Sequence, residues 1–454
     1  MFRKVELWIV YLISFLNILV AISFGILVRQ ELVGTTKLGK VSKTALFLSE
    51  IPVNLKKIIK SQSSYLVNND RFPELTDFNG IPNTRESYLL LSRFNGDLKE
   101  GIVELINLKN FKVLHTWNPD IDAFNELVPK INEFKYLKRD RNNSRQMLVH
   151  PNLTDDGGLI IGWGPLRKIN SCSDLIFQNQ NDDFHHSKEI DKDGNIWVPA
   201  SIFPQKLPKE KVGRNADSEN GYNDDGIVKL SQNGEILLKK SVSEIFIDNG
   251  LEHLLFTSKT PNIFANDPIH LNDIQPVNFD GNYWKKGDLF LSLRHQSMII
   301  LYRPETNQII WKGTGPFFHQ HDVNILNKEE ISIFNNNSKF FVNGDVVDGN
   351  NQIIIYNFKT KKYSAYLNDS FIKNDIRTLT QGRGKIIAGG DVFVEETDFG
   401  RLTYLNADGS LKWSYINRSN DGKIYQLGWS RILYEKKDIE KTRNFLNTKI
   451  NCND

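Results

Sequence analysis

Six times between residues 101 and 415 an apolar run reaches a short polar turn and is followed by a second apolar run. The segments are GIVELINLKNFKVLHTW, LRKINSCSDLIFQ, GIVKLSQNGEILLKK, SMIILYRPETNQIIWKG, QIIIYNFKTKKYSAY and RLTYLNADGSLKWSY, and the last residue before each turn is Ile106, Ile169, Leu230, Tyr302, Tyr356 or Leu405. Apolar runs split by turn residues read as β-hairpins. Asn233-Gly234 and Asp408-Gly409 fit tight turns, because glycine reaches positive φ without steric cost. The intervals of about 50 to 70 residues leave room for two further strands in each unit. Uneven units of that size suit a propeller with long loops better than a strict solenoid. The expected fold is therefore all-β, a six-bladed β-propeller over residues 85–434, with a pair of β-sandwiches as the alternative.

The other segments follow from local composition. Leu7 to Val28 carries no charged side chain, and a run of about 22 apolar residues is long enough to cross a bilayer as a helix. A cleaved signal peptide would have a shorter apolar core and a small-residue cleavage site, so the reading is an uncleaved anchor over residues 1–28. Arg3 and Lys4 precede it while Arg29, Lys37, Lys40 and Lys43 follow, so charge does not choose its orientation. Residues 29–84 read as a stalk and 435–454 as a tail. A formal charge of +3 over 454 residues gives no support for a nucleic-acid surface, and no nucleic-acid partner is expected. Cys172 and Cys452 are too few for a disulfide scaffold, and a bridge between them is disfavoured because the terminus reads as frayed.

Chemistry gathers at one phase of the repeat. His186, His270 and His321 each open a short extended run in consecutive units, and stacking such units around an axis brings their openings together. Asn272 follows His270 by two residues, on the same side of an extended chain. In SLRHQSMII, Arg294 is the only cation in an otherwise apolar strand pair. His185 adjoins His186 and His319 lies two before His321, so either neighbour can be the inward one; the count back to the D-G turn favours His186 and the QHD context His321. Three imidazoles also suit zinc or iron, but no carboxylate stands at an obvious ligand spacing and a guanidinium repels a cation, so no metal is expected. Asp182, Asp183, Asp224 and Asp225 read as solvated loop charges.

At these residues the chain resembles the arylsulfotransferases of the aryl-sulfate-dependent type. The likeness lies in IHLNDI, in LFLSLRHQSMIILYRPETNQIIWKGTG, in the QHD of HQHDVNIL and in ISIFNNN, and it spans roughly residues 155 to 434. What it implies is a six-bladed propeller with a site in its central channel, on the export side of a membrane and needing no cofactor. The implied reaction moves a sulfuryl group from a phenolic sulfate to a phenolic acceptor through a sulfated histidine. By motif His321 matches the nucleophile, His270 and Asn272 the H-x-N pair, Arg294 the S-x-R arginine and His186 the earlier histidine; a late threonine falls on Thr378 or Thr380, of which Thr378 is taken. His185 is kept as a substrate contact. Asn335 stands where related sequences often carry Asp, and their short cysteine pair is missing. A homodimer is admitted, though nothing in the sequence specifies one. The alternative is a noncatalytic propeller that binds a ligand or partner at the channel mouth.

Overall fold

The computed structural model of the chain describes residues 5–32, 38–59, 65–212, 221–256, 266–341, 344–448 and 452; Arg3, Lys4 and Lys37, which bear on the orientation of the N-terminal segment, lie outside them. All six hairpins read from the sequence are antiparallel strand pairs. The turn glycines Gly234 and Gly409 adopt φ of +83° and +82°, as their dipeptides require.

The strands form one five-stranded sheet, one eight-stranded sheet, three four-stranded sheets and a two-stranded hairpin, in an all-β, propeller-like arrangement. Four of the sheets are separate blades of four or five strands. The strand Leu289–Leu293 shows why blades stack: it is buried on both faces, with Leu289, Leu291 and Leu293 packing beside Ile227, Ile245 and Phe246, while Phe290 turns to Trp284, Val323 and Ile331. A side-chain period of two thus gives each sheet an apolar layer on either side.

Buried carboxylates stitch successive sheets together at one end. Asp225 accepts the Leu271 N–H at 2.8 Å, Asp273 that of Val323 at 2.7 Å and Asp322 that of Gly384 at 3.1 Å. Glu395 accepts the N–H groups of Trp429 and Ser430 at 2.7 and 2.6 Å. That last pair lies at the closure, where the late strand Arg431–Leu433 joins the early strand Tyr88–Asn95. Glu395→Ala would leave two buried donors unpaired and should lower the unfolding free energy by about 2–4 kcal/mol in a denaturant titration. A loss below about 0.5 kcal/mol would mean the closure does not depend on it.

The aspartates read as solvated loop charges are mostly not so. Asp182, Asp224 and Asp225 are buried and Asp183 pairs with Arg141, because strand ends packed against a neighbouring sheet need acceptors for their N–H groups. Residues 77–80, read as stalk, form an edge strand on Leu411–Ile416, and Phe78 stacks on Phe111 with ring centroids 4.5 Å apart. At the other end, Cys172 and Cys452 are joined in a disulfide, contrary to the expectation of a frayed terminus. The helix Lys436–Asn447 explains it, since Phe445 is buried against Trp117 and brings the tail back to the body.

The N-terminal apolar run is the helix Leu7–Leu32, 26 residues that reach about 39 Å, enough to cross a membrane and also what a signal sequence offers. A second helix, Lys40–Ile59, packs against it and against the body. Tyr136 donates to Glu50 at 2.8 Å, and Arg139 bonds Asn54.

Candidate active site

The site lies at the end of the sheets where the carboxylate stitching runs. The inner strands Leu271–Pro276 and His321–Ile325 each begin with a register shift, between Leu271 and Asp273 and between His321 and Val323. A bulge there re-aims the first side chains away from the regular pleat. The backbone at this end is also unusual. Trp429, His150, His186, His270, Asp322 and Gln381 all adopt left-handed φ between +50° and +61°. Bulky residues rarely hold that conformation, and it persists where surrounding packing enforces it, most often at functional sites.

Three of the expected histidines meet. The His186 ring is 5.1 Å from that of His270 and 6.5 Å from that of His321. The Trp429 indole closes the group, 5.8 Å from His186 and 5.7 Å from His321, and Trp163 lies 5.0 Å from His186. Arg294 joins them beside His270: its Nη1 is 2.7 Å from Nε2 of His295, whose ring is 4.4 Å from that of His270.

Hydrogen bonding sets which nitrogen of each ring carries a lone pair. Asn336 donates its amide to the carbonyls of Gln381 at 2.7 Å and Thr378 at 3.3 Å, so its oxygen faces Nδ1 of His321 at 2.7 Å. An amide oxygen only accepts; hence Nδ1 of His321 donates and Nε2 keeps the lone pair. Burial pushes the His321 imidazole well below the usual histidine value, and the positive charge of Arg294 pushes it further. His186 is likewise held neutral by burial and by its histidine neighbours. His270 donates Nδ1–H to the Asp267 carboxylate at 2.6 Å, which leaves its Nε2 available. His295 donates Nδ1–H to the Asp267 backbone carbonyl at 2.6 Å and is pushed down to about 4 by burial and by His270, so its Nε2 accepts from Arg294 and orients the guanidinium.

The remaining expected residues support this group. His185 and His186 share an Nδ1 to Nδ1 hydrogen bond of 2.8 Å, and Nε2 of His185 is 3.4 Å from Asp225; His186 is the ring that faces His270 and His321. Asn272 donates to the Gln320 carbonyl at 2.8 Å and so braces the backbone just before His321. Thr378 sits one layer behind: its carbonyl anchors Asn336, and its hydroxyl bonds Asp398 at 3.0 Å. Beneath the histidines Arg383 pairs with Asp322 at 2.7 Å and Arg431 with Glu189 at 3.3 Å, and Asp273 is pushed up to about 7 by burial and by its acidic neighbours Asp322 and Glu189.

With this geometry in view, comparison with known proteins decides the family. The profile described as Arylsulfotransferase (ASST) matches residues 150–418, more than half of the chain. The chain belongs to the arylsulfotransferase family. No curated protein matches it. Solved structures similar to this family member include a protein of unknown function from Bacteroides caccae, at 10% identity and a TM-score of 0.45 over 77% of this chain and 100% of that one. Another is the WD40 β-propeller domain of Doa1, at 12% identity and a TM-score of 0.37 over 83% and 99% of the two chains. A third is apo AztD from Citrobacter koseri, at 9% identity and a TM-score of 0.34 over 79% and 99%.

Several residues of this arylsulfotransferase-family site were not singled out from the sequence. Asn336 was hidden in a run of three asparagines, and Asp267 and His295 bracket named residues without sharing their phase. His150 had a signal, since His150-Pro151-Asn152 repeats the H-x-N spacing of His270 and Asn272. It is fully buried against Arg383 and Arg431 and lies 5.8 Å from Trp429. The expectation that no carboxylate stands at ligand spacing from the histidines is also corrected. Asp267, His270 and His295 bring three donor-type atoms within 4.8 Å. The hydrogen bonds above occupy them, and Arg294 beside His295 disfavours a cation.

Proposed function

We propose that the chain is a membrane-anchored arylsulfotransferase that moves a sulfuryl group from a phenolic sulfate ester to a phenolic acceptor through a sulfated His321. The observation that carries this reading is the tautomer of His321: a neutral ring whose Nδ1–H is held by Asn336 presents Nε2 as a nucleophile. In the first half-reaction Nε2 attacks sulfur, the S–O bond to the aryl group breaks, and the phenolate leaves with the Nε2 proton of His270 in its imidazolium form, whose Nδ1–H the Asp267 carboxylate holds. In the second, the acceptor oxygen attacks sulfur, the N–S bond breaks, and the same imidazole takes the acceptor's proton. Arg294, held by His295, donates to the sulfuryl oxygens, whose charge persists through both steps. Trp163 and Trp429 offer aromatic surface beside the histidines for the aryl group.

The proposed architecture is six-bladed. Dividing the eight-stranded sheet between its strands at 152–184 and 189–241 gives units like the four separate blades, and the positive-φ residues at the inner-strand openings supply one position per unit. Incubating the purified protein with a chromogenic aryl sulfate, with and without a phenol, tests the activity. Phenol-dependent release of the chromophore is expected, and none at all would remove the enzymatic reading. The helix Leu7–Leu32 is read as an anchor with the propeller outside the cytoplasmic membrane, because aryl sulfates replace a cytosolic nucleotide donor. A C-terminal reporter active only after export should be active; a stable but inactive fusion would reverse the orientation.

A further inference from the structure

The sheets have two ends, and among the described residues the N-terminal segment meets the body at the end with the histidines. The stalk helix Lys40–Ile59 meets Tyr136 and Arg139, in the connection that leads to the inner strand after His150. The Tyr65 carbonyl takes the N–H of Gln426, three residues before Trp429. The apolar helix Leu7–Leu32, which packs on the stalk helix, therefore lies toward the end of the sheets that carries the histidines.

That face carries exposed apolar side chains. Along the stalk helix Phe47, Ile51 and Leu55 recur every four residues and are exposed, with Leu48 beside them. Such a stripe on a helix with Lys40, Lys43 and Lys56 is the pattern of a segment lying in the headgroup layer. Across the mouth, the hairpin of Ser338–Phe341 and Gly344–Val347 rises directly after Asn336, the residue that holds His321. Phe340 and Phe341 in its first strand are 76% and 49% exposed. Lys339 of the same strand lies over the Phe318 ring at 4.8 Å, and Phe318 is itself exposed. The Phe318 N–H is held by Asn335 at 2.8 Å, so the hairpin stands beside the segment that leads to His321.

We propose that this face rests on a lipid bilayer, with the stalk stripe and the Phe340–Phe341 tip in the interface, and that the pocket draws phenolic substrates from that interface rather than from bulk water. The inference rests on the anchor and the transfer activity proposed above. A lipid surface is the occupant because the chain's own apolar helix lies toward the same end and brings a bilayer to it. Two aromatic side chains at a loop tip gain free energy in such an interface and lose it in water.

The test uses full-length protein in nanodiscs that contain nitroxide-labelled lipid. The described residues hold no free cysteine, so Phe340→Cys, Leu16→Cys and Lys359→Cys can each take a fluorophore; Leu16 lies in the apolar helix, and Lys359 lies in a turn at the opposite end of the sheets. Lipid should quench the labels at 16 and 340 and leave 359 bright. Quenching at 16 with 340 as bright as 359 would overturn the docking while keeping the anchor, and an unquenched label at 16 would remove the anchor and the docking with it. A label at 340 shielded from water but untouched by lipid would assign the tip to a protein partner, against the proposal. In the second arm, Phe340→Ser with Phe341→Ser should slow transfer to an alkyl-chain phenol in the bilayer by about tenfold and leave transfer to a soluble phenol unchanged. Equal effects on both acceptors, or none on either, would overturn supply from the membrane.

Discussion

His321→Ala should abolish sulfuryl transfer and leave the fold intact. The ring is buried at the end of its strand and makes one described side-chain hydrogen bond, to Asn336, so truncation removes a nucleophile and little of the apolar core. His321→Asn should not rescue activity, because an amide nitrogen has no free lone pair. Brief exposure of the unsubstituted protein to an aryl sulfate without acceptor should add about 80 Da, the mass of one SO₃, to the peptide that holds His321, in acid-labile form. Wild-type activity in His321→Ala, or a label on His270 or His319, would refute the assignment. The pH dependence follows from the ring's surroundings. Burial and Arg294 lower its folded value, so the neutral nucleophile persists as pH falls below the ordinary histidine range near 6.5, and protonation should inactivate it only at lower pH. An inflection at or above 6.5 assigned to His321 by its chemical shift would contradict that account.

Arg294→Ala should cost two powers of ten or more in kcat/KM, about 2.7 kcal/mol of transition-state stabilisation, by analogy with the loss of a preorganised oxyanion donor. Arg294→Lys should recover part of this. A lysine keeps the charge but lacks the planar fork, and it cannot be held by Nε2 of His295 in the same orientation. The defect should fall on transfer and not on thermal stability, because Arg294 is only partly buried. Near-normal transfer by Arg294→Ala would mean that the sulfuryl oxygens are held elsewhere.

The hairpins were legible because strand formation leaves a period of two in the chain, and a turn such as Asp408-Gly409 states its own geometry locally. The histidines were legible for a related reason. His186, His270 and His321 each begin an inner strand, and a stacked repeat superposes equivalent phases. Harder to read were residues that act through partners distant in sequence. Asn336 matters because the carbonyls of Thr378 and Gln381, more than forty positions later, turn its oxygen toward His321. Thr378, named for the site by motif, supplies one of those carbonyls. Asp225 looked like a loop charge until the Leu271 N–H of the next sheet was found to need it.

The sequence by itself determined that this chain is a β-rich repeat with an apolar N-terminal segment, and that three histidines and an arginine fall where repeats converge; periodicity and phase are local properties, written along the chain. The tertiary structure alone decided the protonation pattern of those histidines, the disulfide between Cys172 and Cys452 and the burial of the aspartates between sheets. It also decided that the N-terminal helices lie toward the end with the histidines. Each of these depends on which distant groups share a low-dielectric space, where an unpaired polar group is costly enough to select its partner.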